Sequence, residues 1–409
     1  MGPVVLFDKS FLQSLNIDEA VWFDHFFYPN IAPVFFIEAL ADLEKTVKSG
    51  STPEAAVGAL ARKTPQVSGN PNAYHIHLCE GELNKSPVEM SGRVIIRGGT
   101  AVSSGNQTGV IHEEPPEAIA FSRWHQGEFL QAERLAAKAW RKHLASIDLV
   151  SIQDAIRTIA PVPEQIRDLE TAKANADAFV SDPQHVGDCL TLVNRFIGVP
   201  APVCVAAGQR WRHLGRIPFS VTAPYTAFVL SVLVFFYFCT AASLISKERV
   251  SNVVDMAYLF YLPFATIFTS SDKLHRRCAP LFLREDQEFL WGYDFKKGLD
   301  QVDQYFDKFP DDVKAKGISA FASRPPKESS FLISDLWDRH CGDWRNTRSP
   351  MDRMTPDHEA QIVEQVTRWN KAQVLEDQSS SEEYGTEIFK HRVDRKRGKW
   401  WQVPAEELD

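Results

Sequence analysis

Short apolar runs near the start of the chain alternate with longer segments in which apolar residues recur at helical spacing. Val4–Phe7 is a continuous apolar run of the kind found in buried parallel strands, and Ile31–Val34 is a second such run. Phe11–Phe27, between them, is rich in apolar residues, and Phe35–Lys48 carries them at helical spacing. The pattern predicts strand, helix, strand and helix over residues 3–45.

A similar pattern returns later in the chain. An apolar helix is predicted at Pro224–Ile245, a second helix begins at Asp255, and a strand is predicted at Ala265–Thr269. Residues between the two α/β regions are rich in turn signals at first and then mainly helical, with strand candidates at Tyr74–Cys79 and Arg93–Ile96. The predicted segments are the first part of an α/β core (1–50), an insertion (51–218), the second part of the core (219–300) and a polar C-terminal extension (301–409).

The segment Pro224–Ile245 admits two interpretations. It is almost wholly apolar and long enough to cross a bilayer, which takes about 20 residues. The interpretation that we favour is a helix buried on all sides in an α/β core. A membrane span would place Asp8 and Glu38 on one side of the bilayer and Asp255 and Asp272 on the other, so it excludes a site shared by all four acids.

Composition indicates an ordinary soluble protein. The 409 residues are 44% hydrophobic and 24% charged, and this length favours two or three domains. The net charge of −8 argues against a chain-wide basic coat for nucleic acid, although it allows a local basic patch. The six cysteines include no C-x-x-C pair, which indicates reduced thiols in a cytoplasmic protein.

Four acidic residues stand inside or at the edge of apolar segments. Asp8 closes the first apolar run, Glu38 lies inside Phe36–Leu40, Asp255 opens a predicted helix and Asp272 follows a predicted strand. Such acids are costly unless something compensates their charge. Because ligand sites of parallel α/β sheets lie at the carboxyl ends of strands, the sequence predicts that the four acids share one site.

Carboxylates are the ligands that Mg²⁺ and Mn²⁺ prefer. Bound ions of this kind activate water, orient a phosphodiester and stabilise the leaving oxygen. Without an ion, clustered carboxylates repel one another, so at least one of them is expected to have a raised pKa.

These residues resemble the motifs of the PIN-like nuclease superfamily. The resemblance covers residues 3–45 and 220–290 and rests on Phe7–Ser10, Glu38 within Phe36–Leu40, Asp255 at a helix start, and Thr269–Lys273. It implies a three-layer α/β sandwich around a central parallel sheet, with a large, mainly helical insertion. It also implies that the four acids bind Mg²⁺ or Mn²⁺ for cleavage of RNA, less often of DNA.

Four further residues are candidates for substrate binding. Ser10 stands where the family often has Ser or Thr near the first Asp. Lys273, His275 and Arg276 follow Asp272, where a cation could hold the substrate backbone or, for the histidine, a phosphate. Each candidate also has a structural interpretation, because the acids could cap helices, form turns or face solvent, and the basic residues could form a solvated helix face.

Two weaker patterns remain open. His75, His77 and Cys79 would share one face of a strand, where they could bind zinc or simply be half-buried. The basic and aromatic stretch Lys390–Trp401 is expected to be exposed; it suits single-stranded nucleic acid, but its tryptophans could equally dock on the protein's own core, which is the interpretation we favour.

The sequence thus predicts a metal-dependent endonuclease, acting on RNA, with an α/β fold. One alternative is a non-catalytic PIN-like scaffold that binds a protein partner through the insertion or the tail. The other is a membrane-anchored protein that uses residues 224–245.

Overall fold

A five-stranded parallel sheet lies at the centre of the computed structural model, which describes residues 2–45, 50–215, 217–328, 331–347, 355–375 and 386–405. Its strand order is β3-β2-β1-β6-β7, and all four strand pairs are parallel. A second sheet has the order β8-β4-β5-β9, and β10 pairs with β11. The strands are β1 (Val4–Phe7), β2 (Tyr28–Ile31), β3 (Asn70–Pro71), β4 (Thr100–Ser104), β5 (Gln107–His112), β6 (Ile267–Ser270), β7 (Glu288–Trp291), β8 (Gln373–Val374), β9 (Glu387–Phe389), β10 (Lys396–Arg397) and β11 (Trp400–Trp401).

Helices dominate the rest of the described chain. The α-helices are α1 (Lys9–Ser14), α2 (Ile17–Phe26), α3 (Pro33–Leu40), α4 (Pro53–Ala61), α5 (His75–Leu83), α6 (Pro116–His125), α7 (Gln131–Ser146), α8 (Leu149–Arg157), α9 (Leu169–Ser181), α10 (Val186–Leu192), α11 (Ala201–His213), α12 (Phe219–Thr222), α13 (Pro224–Ala241), α14 (Ser251–Tyr258), α15 (Lys273–Cys278), α16 (Gly292–Asp307), α17 (Asp311–Lys314), α18 (Ile318–Phe321), α19 (Leu332–His340) and α20 (Pro356–Asn370). Short 3₁₀ segments lie at Ala41–Glu44, Pro183–His185, Leu259–Phe264 and Ala279–Phe282, and a π-helical turn lies at Val193–Ile197.

Parallel pairing brings the two distant α/β regions together. Strand β1 lies between β2 and β6, and its residue Phe7 is aligned with Thr269 of β6. All four residues of β6 are buried, which means that both faces of the sheet are covered at its centre. The prediction of an α/β fold with a central parallel sheet is therefore confirmed.

The early elements differ from the prediction in their bounds. The second strand ends at Ile31, because Pro33 begins α3 and its ring fixes a helical backbone angle. The predicted first helix is two helices, since Asn16 caps α2 in a capping box with Glu19 and so interrupts the helical run.

The strand predicted at Tyr74–Cys79 is wrong, because His75–Leu83 forms helix α5. In a helix His77 points away from the face shared by His75 and Cys79, so the common face on which the zinc hypothesis depended is absent. Arg93–Ile96 is also not a strand and has an irregular backbone.

Helix α13 is the apolar helix of the core. Its length and mean hydropathy of 1.7 would allow it to cross a membrane, but 78% of it is buried inside the protein. The Glu82 carboxylate accepts hydrogen bonds from its first amide groups, at 3.0 Å from Tyr225 N and 2.7 Å from Thr226 N. This burial favours the core-helix interpretation over a membrane span.

The end of the described chain docks on helix α2. The favoured interpretation, in which the tryptophans of this stretch pack on the protein's own core, is confirmed for Trp400, whereas the expected exposure is wrong for Arg397 and Trp400. Trp400 is 1% exposed, and its Nε1 and that of Trp22 donate to the same Asp303 oxygen at 2.8 and 2.9 Å. Arg397, 3% exposed, forms an ion pair with Asp24 at 2.7 Å. One hydrophobic cluster includes residues from all four predicted segments, and the division at residues 50, 218 and 300 stays a prediction.

Candidate active site

The four acids lie around the carboxyl ends of two neighbouring strands. Phe7 is aligned with Thr269, so Asp8 is level with Ser270, and Asp272 comes two residues after β6; both acids therefore leave the sheet at the same edge. Glu38 extends from α3 and Asp255 from α14, and these helices pack against each other. Asp8, Glu38 and Asp272 are all close enough to raise the pKa of Asp255 through their charges.

Asp8 is the most firmly held of the four acids and is 4% exposed. Its carboxylate caps α1 by accepting from Phe11 N at 2.9 Å, and it accepts from the hydroxyls of Ser10 and Ser270 at 2.7 Å each. Burial alone would raise its pKa, but the hydrogen bond and charge of His275 and the Phe11 and Ser10 donors outweigh it and lower the pKa. Asp8 is therefore a buried, ionised carboxylate.

His275 is fully buried behind Asp8 and carries its counter-charge. Its Nε2 lies 2.7 Å from the Asp255 carbonyl oxygen, which only accepts, so Nε2 must be protonated. Nδ1 lies 3.3 Å from an Asp8 carboxylate oxygen and 2.8 Å from Ser270 Oγ, whose own proton goes to Asp8. Both nitrogens thus face acceptors, as imidazolium requires.

The electrostatics of His275 agree with this protonation. Burial lowers the pKa of an imidazole, but here the hydrogen bond and charge of Asp8 and the Asp255 carbonyl raise the pKa of His275 to about 9. The imidazole supports Asp8 from inside the protein and has no exposed surface. We therefore assign His275 a positioning role in place of the direct contact with substrate that the sequence led us to expect.

Glu38 is held by two partners that the sequence reasoning missed. Lys9 Nζ lies 3.0 Å from one carboxylate oxygen, and Tyr258 donates its hydroxyl to the other at 2.7 Å. Lys9 also contacts Asp42 at 3.2 Å, so it joins two acids. Burial, together with the charges of Glu38 and Asp8, raises the pKa of Tyr258 well above its usual value, which keeps the phenol as a hydrogen-bond donor.

Asp255 is the acid with the least compensation. It lies in the middle of α14, not at its start as predicted, because the helix begins at Ser251. No group within the described residues donates a hydrogen bond to its carboxylate, which is only half-buried. Burial, followed by the charges of Asp272, Glu38 and Asp8, raises its pKa to about 7, although His275 opposes the shift.

Asp272 and Ser10 connect the two strand ends. Asp272 caps α15 through Leu274 N at 2.6 Å, and its own amide donates to Ser270 Oγ at 2.9 Å. Ser10 Oγ, which donates to Asp8, accepts from Ser271 N at 3.1 Å. The Ser10 hydroxyl is therefore part of the framework around Asp8.

The predicted basic residues lie at the outer rim. Lys273 and Arg276 are exposed, and Lys273 lines a cleft of about 340 Å³ together with Asp272, Arg249 and Arg277. Arg276 lies over the ring of Trp291, with its guanidinium carbon 4.8 Å from the ring centroid. Cations beside a cluster of acids are suited to holding a phosphate that the acids alone would repel.

The donor chemistry of this site fits a hard divalent cation. Four carboxylates face His275 and Lys9, which leaves an excess of negative charge, and Asp255 has lone pairs that no hydrogen bond uses. Across the described residues, no three His, Cys, Asp or Glu side chains are already arranged as a closed set of ligands. Binding would thus require Glu38, Asp255 and Asp272 to adjust around the ion.

Of the supporting residues, Lys9 and Ser270 could have been found from the sequence, because Lys9 follows Asp8 and Ser270 follows the predicted strand Ala265–Thr269. Tyr258 carries no such signal, since its role depends on how α14 packs against α3. Searches of family models, curated proteins and solved structures found nothing that matches this chain.

Proposed function

We propose that this chain is a metal-dependent endonuclease with a PIN-like three-layer core, and that it hydrolyses phosphodiester bonds in RNA in preference to DNA. The observation that carries the proposal is Asp255. It is a half-buried carboxylate without a hydrogen-bond donor in the described chain, and three other acids help to raise its pKa to about 7. Natural proteins keep such uncompensated charge where function needs it.

In this proposal Asp8, Glu38, Asp255 and Asp272 hold Mg²⁺ or Mn²⁺. The ion supplies an activated water and charge stabilisation for the phosphodiester. Lys9 and Tyr258 fix the Glu38 carboxylate, and Ser10, Ser270 and His275 fix Asp8. Lys273 and Arg276 bind the substrate backbone at the rim.

The remaining features are assigned by the same reasoning. The chain acts in the cytoplasm, in keeping with six cysteines that are all free thiols and all lie in the described part of the chain. A non-catalytic scaffold that binds a protein partner through residues 51–218 or 301–409 is the alternative against which the proposal is tested.

The test combines cleavage with a direct measurement of ion binding. Mn²⁺ is expected to raise the melting temperature of the wild type, because a ligand bound only by the folded state stabilises it. Asp255→Asn should abolish this shift and lower kcat/KM on labelled RNA or DNA roughly 100-fold or more, the scale on which charge-stabilising groups act. Asp8→Asn should lose activity as well.

The exposed Asp312→Asn is the matched control, because it removes one acid far from the cluster and should change neither the melting shift nor the cleavage rate. Cleavage that survives Asp8→Asn and Asp255→Asn together would reject the mechanism. A wild type that shows no melting shift and no cleavage with Mn²⁺ would favour the scaffold.

A further inference from the structure

An aromatic pair, half-buried Trp291 and exposed Tyr293, lies at the end of β7, beside the candidate active site. Trp291 is the last residue of the strand and Tyr293 comes two residues later, with ring centroids 5.5 Å apart and planes inclined by 48°. Tyr293 is 59% exposed, and the Arg276 guanidinium covers part of Trp291. A large exposed ring beside a second ring and an arginine is typical of binding surfaces.

Strand pairing fixes this pair next to Asp272. Trp291 is aligned with Ser270 in the β6–β7 ladder, so the two segments leave the sheet side by side. Gly292 then passes so close to Ser271 that a Cβ atom on residue 292 would lie 2.3 Å from Ser271 Oγ. The close approach leaves no room for a side chain and holds the aromatic pair at the edge of the acidic cluster.

A basic cleft lies on another side of Asp272. Arg249, Lys273 and Arg277 line it, and no carboxylate in the described chain forms an ion pair with any of the three. Arg277 makes one long hydrogen bond, at 3.4 Å to the Leu244 carbonyl. Cations left unpaired in a chain of net charge −8 indicate an anionic ligand.

We propose that Trp291, Tyr293 and Arg276 form a stacking platform for an unpaired base of a single-stranded nucleic acid, whose neighbouring phosphates lie in the basic cleft. Base faces in a duplex are covered by their neighbours, whereas a single strand can place one on an exposed ring. The strand would then cross Asp272 between platform and cleft. Cleavage of the strand at this point rests on the proposed function, whereas binding of the strand does not.

Binding of labelled oligonucleotides to the full chain, measured by fluorescence anisotropy with EDTA present, tests the platform without chemistry. Tyr293→Ala and Trp291→Ala should each raise the Kd for a single-stranded RNA or DNA roughly 5- to 150-fold. Tyr293→Phe and Trp291→Phe, which keep a ring, should restore most of the affinity. Lys273→Ala with Arg277→Ala should lower the slope of log Kd against log salt by about 0.7 for each phosphate that is no longer bound.

Phe129→Ala is the matched control, because Phe129 is also a half-buried ring covered by a cation, Arg134 at 5.6 Å, but lies in the insertion. It should leave the Kd unchanged. Equal affinity of wild type and Tyr293→Ala for single strands, or tighter binding of duplex than of single strand, would overturn the platform. Strong ring-dependent binding without cleavage in Mn²⁺ would keep the platform and reject the nuclease. Comparing RNA with DNA of one sequence shows which sugar is preferred.

Discussion

Asp24 and Asp255 show two different ways of placing an acid inside this protein. Asp24 is almost fully buried and meets Arg397 at 2.7 Å, Gln66 N at 2.7 Å, and the backbone amides of Val67 and Ser68. Asp255 is less buried, yet within the described chain it receives no hydrogen bond and faces three other acids. The charge of Asp24 is neutralised by its own partners, whereas the acidic cluster around Asp255 keeps uncompensated negative charge.

The difference distinguishes an acid that stabilises the fold from an acid that is available to a ligand better than burial does. A buried acid whose lone pairs are all used stabilises one arrangement of the chain and has nothing left to offer a ligand. An acid with raised pKa and free lone pairs costs stability, and it is available to a cation. By this criterion Asp8 belongs between the two, since it accepts several hydrogen bonds, as Asp24 does, but lies beside Asp255.

The largest expected effect is at the paired acid. Arg397→Met should lower the free energy of unfolding by roughly 3–5 kcal/mol, because it leaves the Asp24 carboxylate buried with an uncompensated charge. Equilibrium unfolding in urea measures the loss. Arg339→Ala, which removes a surface pair with Glu288, should cost less than about 1 kcal/mol. Similar losses of unfolding free energy in Arg397→Met and Arg339→Ala would mean that the ion pair between Arg397 and Asp24 does not hold the tail.

A substitution at Asp255, the uncompensated acid, is expected to change stability in the opposite direction. Asp255→Asn should raise the free energy of unfolding by roughly 1–3 kcal/mol at neutral pH in metal-free buffer, because it removes the burial cost and repulsion that raise the Asp255 pKa. Asp24→Asn should instead destabilise the protein. If both variants destabilise, the contrast between the two acids is wrong.

The most gradual expected effect, spread over a range of pH, concerns His75, which lies outside both acidic sites. Burial, with a smaller contribution from His77, lowers the pKa of His75 to about 4, whereas in the unfolded chain it titrates near 6.5. The unfolded state therefore takes up a proton first, and stability should fall as pH drops from about 6.5 to about 4. Within that window, His75→Phe should remove about 1 kcal/mol of the decline for each pH unit.

The exposed His213→Phe serves as the control for that measurement, since it should leave the slope of stability against pH unchanged. A wild-type slope identical to that of His75→Phe would show that His75 titrates normally in the folded protein.

The sequence was sufficient to predict strands β1 and β6 and the placement of Asp8 and Asp272. Short apolar runs that end in an acid fit few structures other than a buried strand with the acid at its end. The strand predicted around His75 failed, since alternation over six residues fits a helix equally well. The favoured docking of the tail tryptophans holds for Trp400, but the expected exposure of the basic residues fails at Arg397 for a different reason. Basic residues favour solvent on average, and only the fold reveals that Arg397 pairs with Asp24.

The roles around the acids were harder to predict than the acids. His275 was expected to face substrate because it follows Asp272 closely in sequence. The sequence does not show which face of α15 packs inward, and His275 lies on that face, where it contacts Asp8. Tyr293, the most exposed aromatic residue beside the site, lies outside every motif and gave no signal.

The shared use of Asp303 by Trp22 and Trp400 links folding to the order of synthesis. Helix α2 leaves the ribosome long before Trp400, the second indole that binds this carboxylate, has been translated. Until then the surface that Trp400 covers remains open to chaperones and proteases. A nascent chain would thus complete this part of its core only after Trp400 has been translated, however early helix α2 forms.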